Sequence, residues 1–85
     1  MLERDLQINQ SGGLHAQASA KLVQALTPFE SHVFLLAKGR EVNAKSIMGV
    51  MLLAAAPGTT IKARVNGDDE EAAMAALVAL FESGL

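Results

Sequence analysis

Along residues 2–8, LERDLQI, apolar side chains fall on even positions (Leu2, Leu6, Ile8) and polar ones on odd positions (Glu3, Asp5, Gln7), with Arg4 as the exception. That two-residue period predicts a strand with one wet face. From Ala16 to about Leu26 the period lengthens. Ser19, Leu22, Val23 and Leu26 follow i, i+3, i+4, i+7, the stripe of a helix lying against a core. Pro28 cannot continue that helix, because it lacks an N–H and clashes with the preceding turn. HVFLL is β-branched and apolar, Lys38 and Gly39 make a tight turn, and REVNA returns as a second strand, so residues 32–44 read as a hairpin.

Ser46 then opens a short helix, IMGVMLL, which stops by Pro57 and Gly58. TTIKARVNG alternates again, with Ile61, Ala63 and Val65 on one side and Thr60, Lys62 and Arg64 on the other. Asp68 or Asp69 caps a last helix, whose stripe is Ala73, Leu77, Leu80, Phe81 and Gly84. The predicted order is β-α-β-β-α-β-α. One-sided strands and one-sided helices in that order predict an α+β fold, an antiparallel sheet covered on one face. No repeat, linker or low-complexity segment interrupts it, so residues 1–85 read as one domain.

Composition narrows the chemistry. Hydrophobic residues make up 51% of the chain, yet there is no Trp or Tyr, so stability rests on aliphatic packing. Without cysteine there is no disulfide, thiol catalysis or Cys-ligated metal. A net charge of −2 argues against a nucleic-acid partner, which calls for a basic face. The N-terminus is too charged for a signal peptide and no run approaches membrane-spanning length, which predicts a cytoplasmic protein without direct membrane insertion.

The segment GLHAQASAK, residues 13–21, sets His15 where a glycine-bearing loop turns into a helix. His15 is either a plain residue at a helix start or a reactive one. His32 is the only other histidine, so no metal-ligand set is apparent and none is expected. No nucleophile–base–orienter series marks a hydrolase either. The first amides of a helix lack intrahelical acceptors and carry the positive end of its dipole, which disfavours imidazolium and leaves a neutral, nucleophilic ring. A phosphoryl group taken up by that ring would lie beside the amides of Ala16, Gln17 or Ala18. Such chemistry requires no cofactor, and none is expected.

GLHAQASAK resembles the active-site segment of the histidine-containing phosphocarrier (HPr) family of the bacterial phosphotransferase system (PTS). NAKSIMGVMLLAA, residues 43–55, is similar to the family's second signature, and the element order and the ALVALFESG ending also fit. The resemblance implies an open-faced β-sandwich, a four-stranded antiparallel sheet covered on one side by three helices. It implies that His15 accepts a phosphoryl group on Nδ1 from Enzyme I, itself charged by phosphoenolpyruvate. His15 would then pass the group to a IIA protein or domain of a sugar permease or to a regulatory target. The protein would be a carrier without turnover of its own, and a monomer.

One position departs from the family pattern where it touches the chemistry. The arginine expected two residues after the histidine is Gln17, so a charge-assisted contact worth about 1.5–3 kcal/mol is replaced by a neutral amide. Lys21 and Lys45 are the candidate replacements for that charge. Ala18 stands for proline, as in one branch of the family. The alternative to a working carrier is therefore a regulatory paralogue, with transfer impaired at Gln17, that acts by docking.

Ser46 is placed to cap the helix beginning at Ile47, its hydroxyl reaching an amide two or three residues on. The resemblance adds a second role, phosphorylation by a dedicated HPr kinase/phosphorylase. IMGVMLL holds more large apolar side chains than a two-turn helix buries on one side. Ile47, Met48 and Met51 are the expected outward group, with full burial in the core as the alternative, and the resemblance implies that they form a partner-docking patch. GDDEE, residues 67–71, reads as the acidic start of a helix rather than a cation site. An acyl carrier using Ser46 is set aside, because those are helical bundles and this chain has evident strands.

Overall fold

The computed structural model describes residues 1–8, 16–53 and 58–83. Its elements are β1 (Leu2–Gln7), α1 (Ala16–Leu26), β2 (His32–Ala37), β3 (Arg40–Asn43), α2 (Ile47–Leu53), β4 (Thr60–Asn66) and α3 (Glu70–Ser83), in the predicted order. Gly12, Gly13, Leu14, His15, Pro57 and Gly84, all of which enter the sequence reading, lie outside the described residues.

The strands form one antiparallel sheet of order β1-β4-β2-β3, so β4 runs between β1 and β2. Register explains the alternation. Leu2 pairs with Val65, and Val65 with Val33; Leu6 pairs with Ile61; Ala63 pairs with Leu35, and Leu35 with Val42. These residues make the inner face, where Leu6, Val33, Leu35, Ile61, Ala63 and Val65 are buried. Arg4 shares that row opposite Ala63, but β1 is an edge strand and the side chain is exposed. The opposite face carries Glu3, Asp5, Glu41, Lys62 and Arg64, and across it Arg64 Nε donates to Glu3 at 2.8 Å and Nη1 to Glu41 at 3.3 Å. Phe34 and Leu36 also belong to this outer row and are half-buried there.

The helices complete the core with Ala18, Leu22 and Leu26 from α1, Val50 and Leu53 from α2, and Ala73, Met74, Leu77 and Phe81 from α3. Each fully buried Leu, Ile, Val or Phe contributes roughly 1.5–3 kcal/mol relative to exposure, which is how a core without Trp or Tyr suffices. Ser19 is also fully buried, and its Oγ has no hydrogen-bond partner among the described residues.

The β2–β3 hairpin turns through two residues of positive φ, Lys38 (53°) and Gly39 (77°), the pattern of a type I′ turn that suits the right-handed twist of the strands. At the start of α3 the expected cap takes an unexpected form. Asp69 precedes the helix and its carbonyl accepts from the amide of Ala73 at 2.9 Å, but its carboxylate leaves the helix. It accepts from the amides of Glu30 (2.8 Å) and Ser31 (2.9 Å) and from the Ser31 hydroxyl (2.5 Å). These bonds, the hydroxyl first and the Glu30 amide next, hold the Asp69 carboxyl below the ordinary aspartate range against the opposing effect of burial. Gly67 lies so close to the same loop that a Cβ there would stand 2.5 Å from Ser31 Oγ. Glu70 is held below its ordinary value chiefly by the amide of Gly67, which donates to its carboxylate at 3.2 Å, and then by the N-terminal ammonium.

Candidate functional site

Helix α1 begins at Ala16, the residue that follows His15 in the chain; His15 itself lies outside the described residues. Of the three residues expected to flank a phosphoryl group, Ala16 and Gln17 are exposed, whereas Ala18 puts its methyl into the core. The helix thus turns one side of its first turn to solvent and anchors the other.

The α2 segment begins with local hydrogen bonding. Asn43 Oδ1 accepts from the amide of Lys45 at 2.9 Å, and the amide of Ser46 donates to the Asn43 carbonyl at 3.0 Å. This turn sets Ser46 just ahead of Ile47, where Ser46 Oγ accepts from the amide of Gly49 at 3.2 Å and the Ser46 carbonyl from the amide of Val50 at 3.0 Å. That is the predicted capping geometry, and Ser46 remains exposed. A capping serine of this kind contributes about 1 kcal/mol to helix stability.

Ile47, Met48 and Met51, expected outward, are exposed by 43%, 74% and 44%, which excludes their full burial. Leu52, not part of the expected group, is 61% exposed and joins them. The signal was present in the spacing, because Leu52 follows Met48 by four residues just as Met51 follows Ile47, and such pairs share a helix face. Val50 and Leu53 hold the opposite side of α2 in the core. The last turn is fastened by Arg40, whose Nη1 donates to the Leu52 carbonyl at 3.0 Å, a cation at the negative end of the helix. Helix α2 packs against α1 and β3, so this apolar surface is built onto the helix that follows His15.

The two candidate cations separate. Lys45 Nζ donates to the carbonyl of Phe29, past the C-terminal end of α1. It is therefore directed away from the start of the helix. Lys21 is on α1 and exposed. In GDDEE, the Asp69 and Glu70 carboxylates are engaged by backbone amides, and no cluster of three or more His, Cys, Asp or Glu able to hold a metal occurs among the described residues.

Residues 2–83 match the family model described as the PTS HPr component phosphorylation site. The chain belongs to the HPr family. The phosphocarrier protein HPr of Xylella fastidiosa (strain Temecula1 / ATCC 700964) is 59% identical over 83 residues, covering 98% of this chain and 93% of that protein. In structure, HPr-C-His from Thermoanaerobacter tengcongensis superposes with a TM-score of 0.95 at 43% identity, over 99% of this chain and 94% of that one. The same organism's HPr dimer matches with a TM-score of 0.77 at 43% identity, over 98% of this chain and 95% of that one. The open four-stranded sheet with three helices is thus the HPr fold, and the family is one of PTS phosphocarriers. No helix among the described residues is long and apolar enough to cross a membrane.

Proposed function

We propose that this protein carries a phosphoryl group on His15, receiving it from phosphorylated Enzyme I and giving it to a IIA protein or domain of a sugar or regulatory PTS. The observation that carries this reading is the family match over residues 2–83, which includes His15 and the helix start that follows it. In each step the bond from phosphorus to the donor breaks as a P–N bond to the imidazole forms, and delivery reverses this on the acceptor. The protein contributes position and charge, because free amides at a helix start favour the phosphoryl oxygens. Ile47, Met48, Met51 and Leu52 serve as the apolar part of the surface on which partners seat, supported by their exposure on so short a helix. Ser46, exposed at the head of that helix, is the proposed regulatory phosphorylation site for an HPr kinase/phosphorylase. A phosphate there would put roughly two negative charges beside the apolar surface. The protein acts as a monomer in the relay.

The test is intact mass after incubation with phosphoenolpyruvate, magnesium and the Enzyme I of the same organism, beside His15→Ala. The expected result is an acid-labile gain of one phosphoryl group that the variant lacks. An unchanged mass, with Enzyme I charging an ordinary HPr in the same tube, would replace this reading with that of a regulatory paralogue impaired at Gln17.

A further inference from the structure

The chain has three asparagines, followed by Gln10 after Asn9, by Ala44 after Asn43 and by Gly67 after Asn66. An asparagine side chain is open to attack by the backbone nitrogen of the next residue, and a side chain on that residue obstructs it. Glycine presents none. Asn43 is occupied besides, its Oδ1 accepting from the amide of Lys45 at 2.9 Å. Asn66 is exposed, and its side-chain amide has no hydrogen-bond partner among the described residues. It is also the last residue of β4, opposite His32 of β2, while the pairing with β1 stops one residue earlier at Val65. One strand neighbour restrains Asn66, where Val65 has two.

The turn that follows is closed from both ends. The amide of Gly67 donates to Glu70 Oε1 at 3.2 Å, and the amide of Glu70 donates to the Gly67 carbonyl at 3.2 Å. The nitrogen next to Asn66 therefore directs its proton at a carboxylate, which is a base, instead of at a carbonyl. Position 67 has no room for a side chain, since a Cβ there would stand 2.5 Å from Ser31 Oγ and 2.6 Å from Ser31 Cα. The packing that requires glycine at 67 is what leaves Asn66 unshielded.

We propose that Asn66 is a site of spontaneous deamidation, in which the Gly67 nitrogen attacks Asn66 Cγ and the Glu70 carboxylate takes the proton. The bond from Gly67 N to Asn66 Cγ forms, the bond from Cγ to Nδ2 breaks, and the amide nitrogen leaves as ammonia with the proton that Glu70 held. Water then opens the cyclic imide at either carbonyl, giving aspartate or isoaspartate at position 66. Isoaspartate carries the chain through its side-chain carbon and so lengthens the link to Gly67 by one methylene. Gly67 is already in contact with Ser31, so the longer link displaces it and pulls Asp69, two residues on, from the amides of Glu30 and Ser31. The reaction stands apart from the carrier chemistry and uses none of its residues.

The experiment ages the full chain at mildly alkaline pH and growth temperature and follows intact mass, peptide maps and isoaspartate, the last by methyl transfer from S-adenosylmethionine with isoaspartyl methyltransferase. The expected result is one amide-to-carboxylate gain that maps to Asn66, with Asn9 and Asn43 unchanged, and that Asn66→Ser lacks. Glu70→Gln keeps an oxygen to accept from the Gly67 amide but takes no proton. It should slow the gain about tenfold, an order below the least that a dedicated general base contributes. The isoaspartate form, separated by anion exchange, should lose hydrogen-exchange protection at the Glu30 and Ser31 amides and unfold at lower urea than Asn66→Asp, whose backbone is of normal length. A gain at Asn9 or Asn43 instead, no gain, or a rate unchanged in Glu70→Gln would overturn the proposal. So would an isoaspartate form in which the Ser31 amide stays protected.

Discussion

The carboxylate of Asp69 and the hydroxyl of Ser31 lie 2.5 Å apart, and through them the start of α3 is tied to the loop between α1 and β2. The two residues are separated by 38 positions, and Gly67 permits the contact by presenting no side chain to Ser31. The sign of its pH dependence follows. The folded-state pKa of Asp69 is depressed, so the contribution is fully present above the ordinary aspartate value and is lost as pH falls through the lowered one. Glu70 acts in the same direction. Urea unfolding followed from about pH 7 down to about pH 2 should show stability falling across the carboxylate range. Asp69→Asn should lower stability at neutral pH and flatten that dependence. An unchanged slope would show that the contact is not maintained in solution.

Ser19 is the mirror case, a buried hydroxyl with no partner among the described residues. Leaving a hydroxyl unsatisfied costs about 1–3 kcal/mol, and alanine is also the better helix former. Ser19→Ala should therefore stabilise the protein by about 1 kcal/mol, read as a raised urea midpoint with an unchanged slope. A loss of stability would mean that the hydroxyl is bonded.

The hairpin turn offers a second stabilising change. Lys38 sits at φ 53°, where asparagine is tolerated better than lysine, and Gly39 already occupies the following position. Lys38→Asn should raise stability by roughly 0.5 kcal/mol or more, with the register from Ala37–Arg40 onward preserved. Thermal melting measures it, and a lowered midpoint would rule out the I′ assignment.

The exposed surface of α2 can be separated from the fold. Met48 and Leu52 are the most exposed of its large side chains, so Met48→Asp and Leu52→Asp should shift the melting midpoint little. If partners seat there, each should weaken binding of Enzyme I about tenfold or more by titration calorimetry. Binding that is indifferent to both would move the docking surface elsewhere.

Legibility in the sequence divides along the range of the interactions. Strands and helices whose signal is local were read to within a residue or two, because alternation at Ile61, Ala63 and Val65 and the stripe through Leu22 and Leu26 report a single buried side directly. The Ser46 cap was likewise readable, since its partner Gly49 is three residues away. Of Asp68 and Asp69, the two expected caps, Asp69 directly precedes α3, but its carboxylate reaches across the fold to Glu30 and Ser31, which no local pattern encodes. The same holds for Lys45, a candidate cation for the site by sequence, whose bond to the Phe29 carbonyl spans 16 residues. Leu52 was missed for another reason. A helix of seven residues whose end is fastened by Arg40 need not bury its last turn evenly.

The position of β4 in the sheet also governs when the protein can fold. Its partners β1 and β2 are both made long before it, yet they do not pair with each other; each pairs with β4. While the ribosome is still adding residues before Thr60, the emerging chain can close only the β2–β3 hairpin, and β1 stays without a strand neighbour. No other strand pairing of the sheet can form until β4 has been made, and closing the long loops to it then costs entropy. Assembly of the sheet thus waits for β4, one late strand that joins two already made.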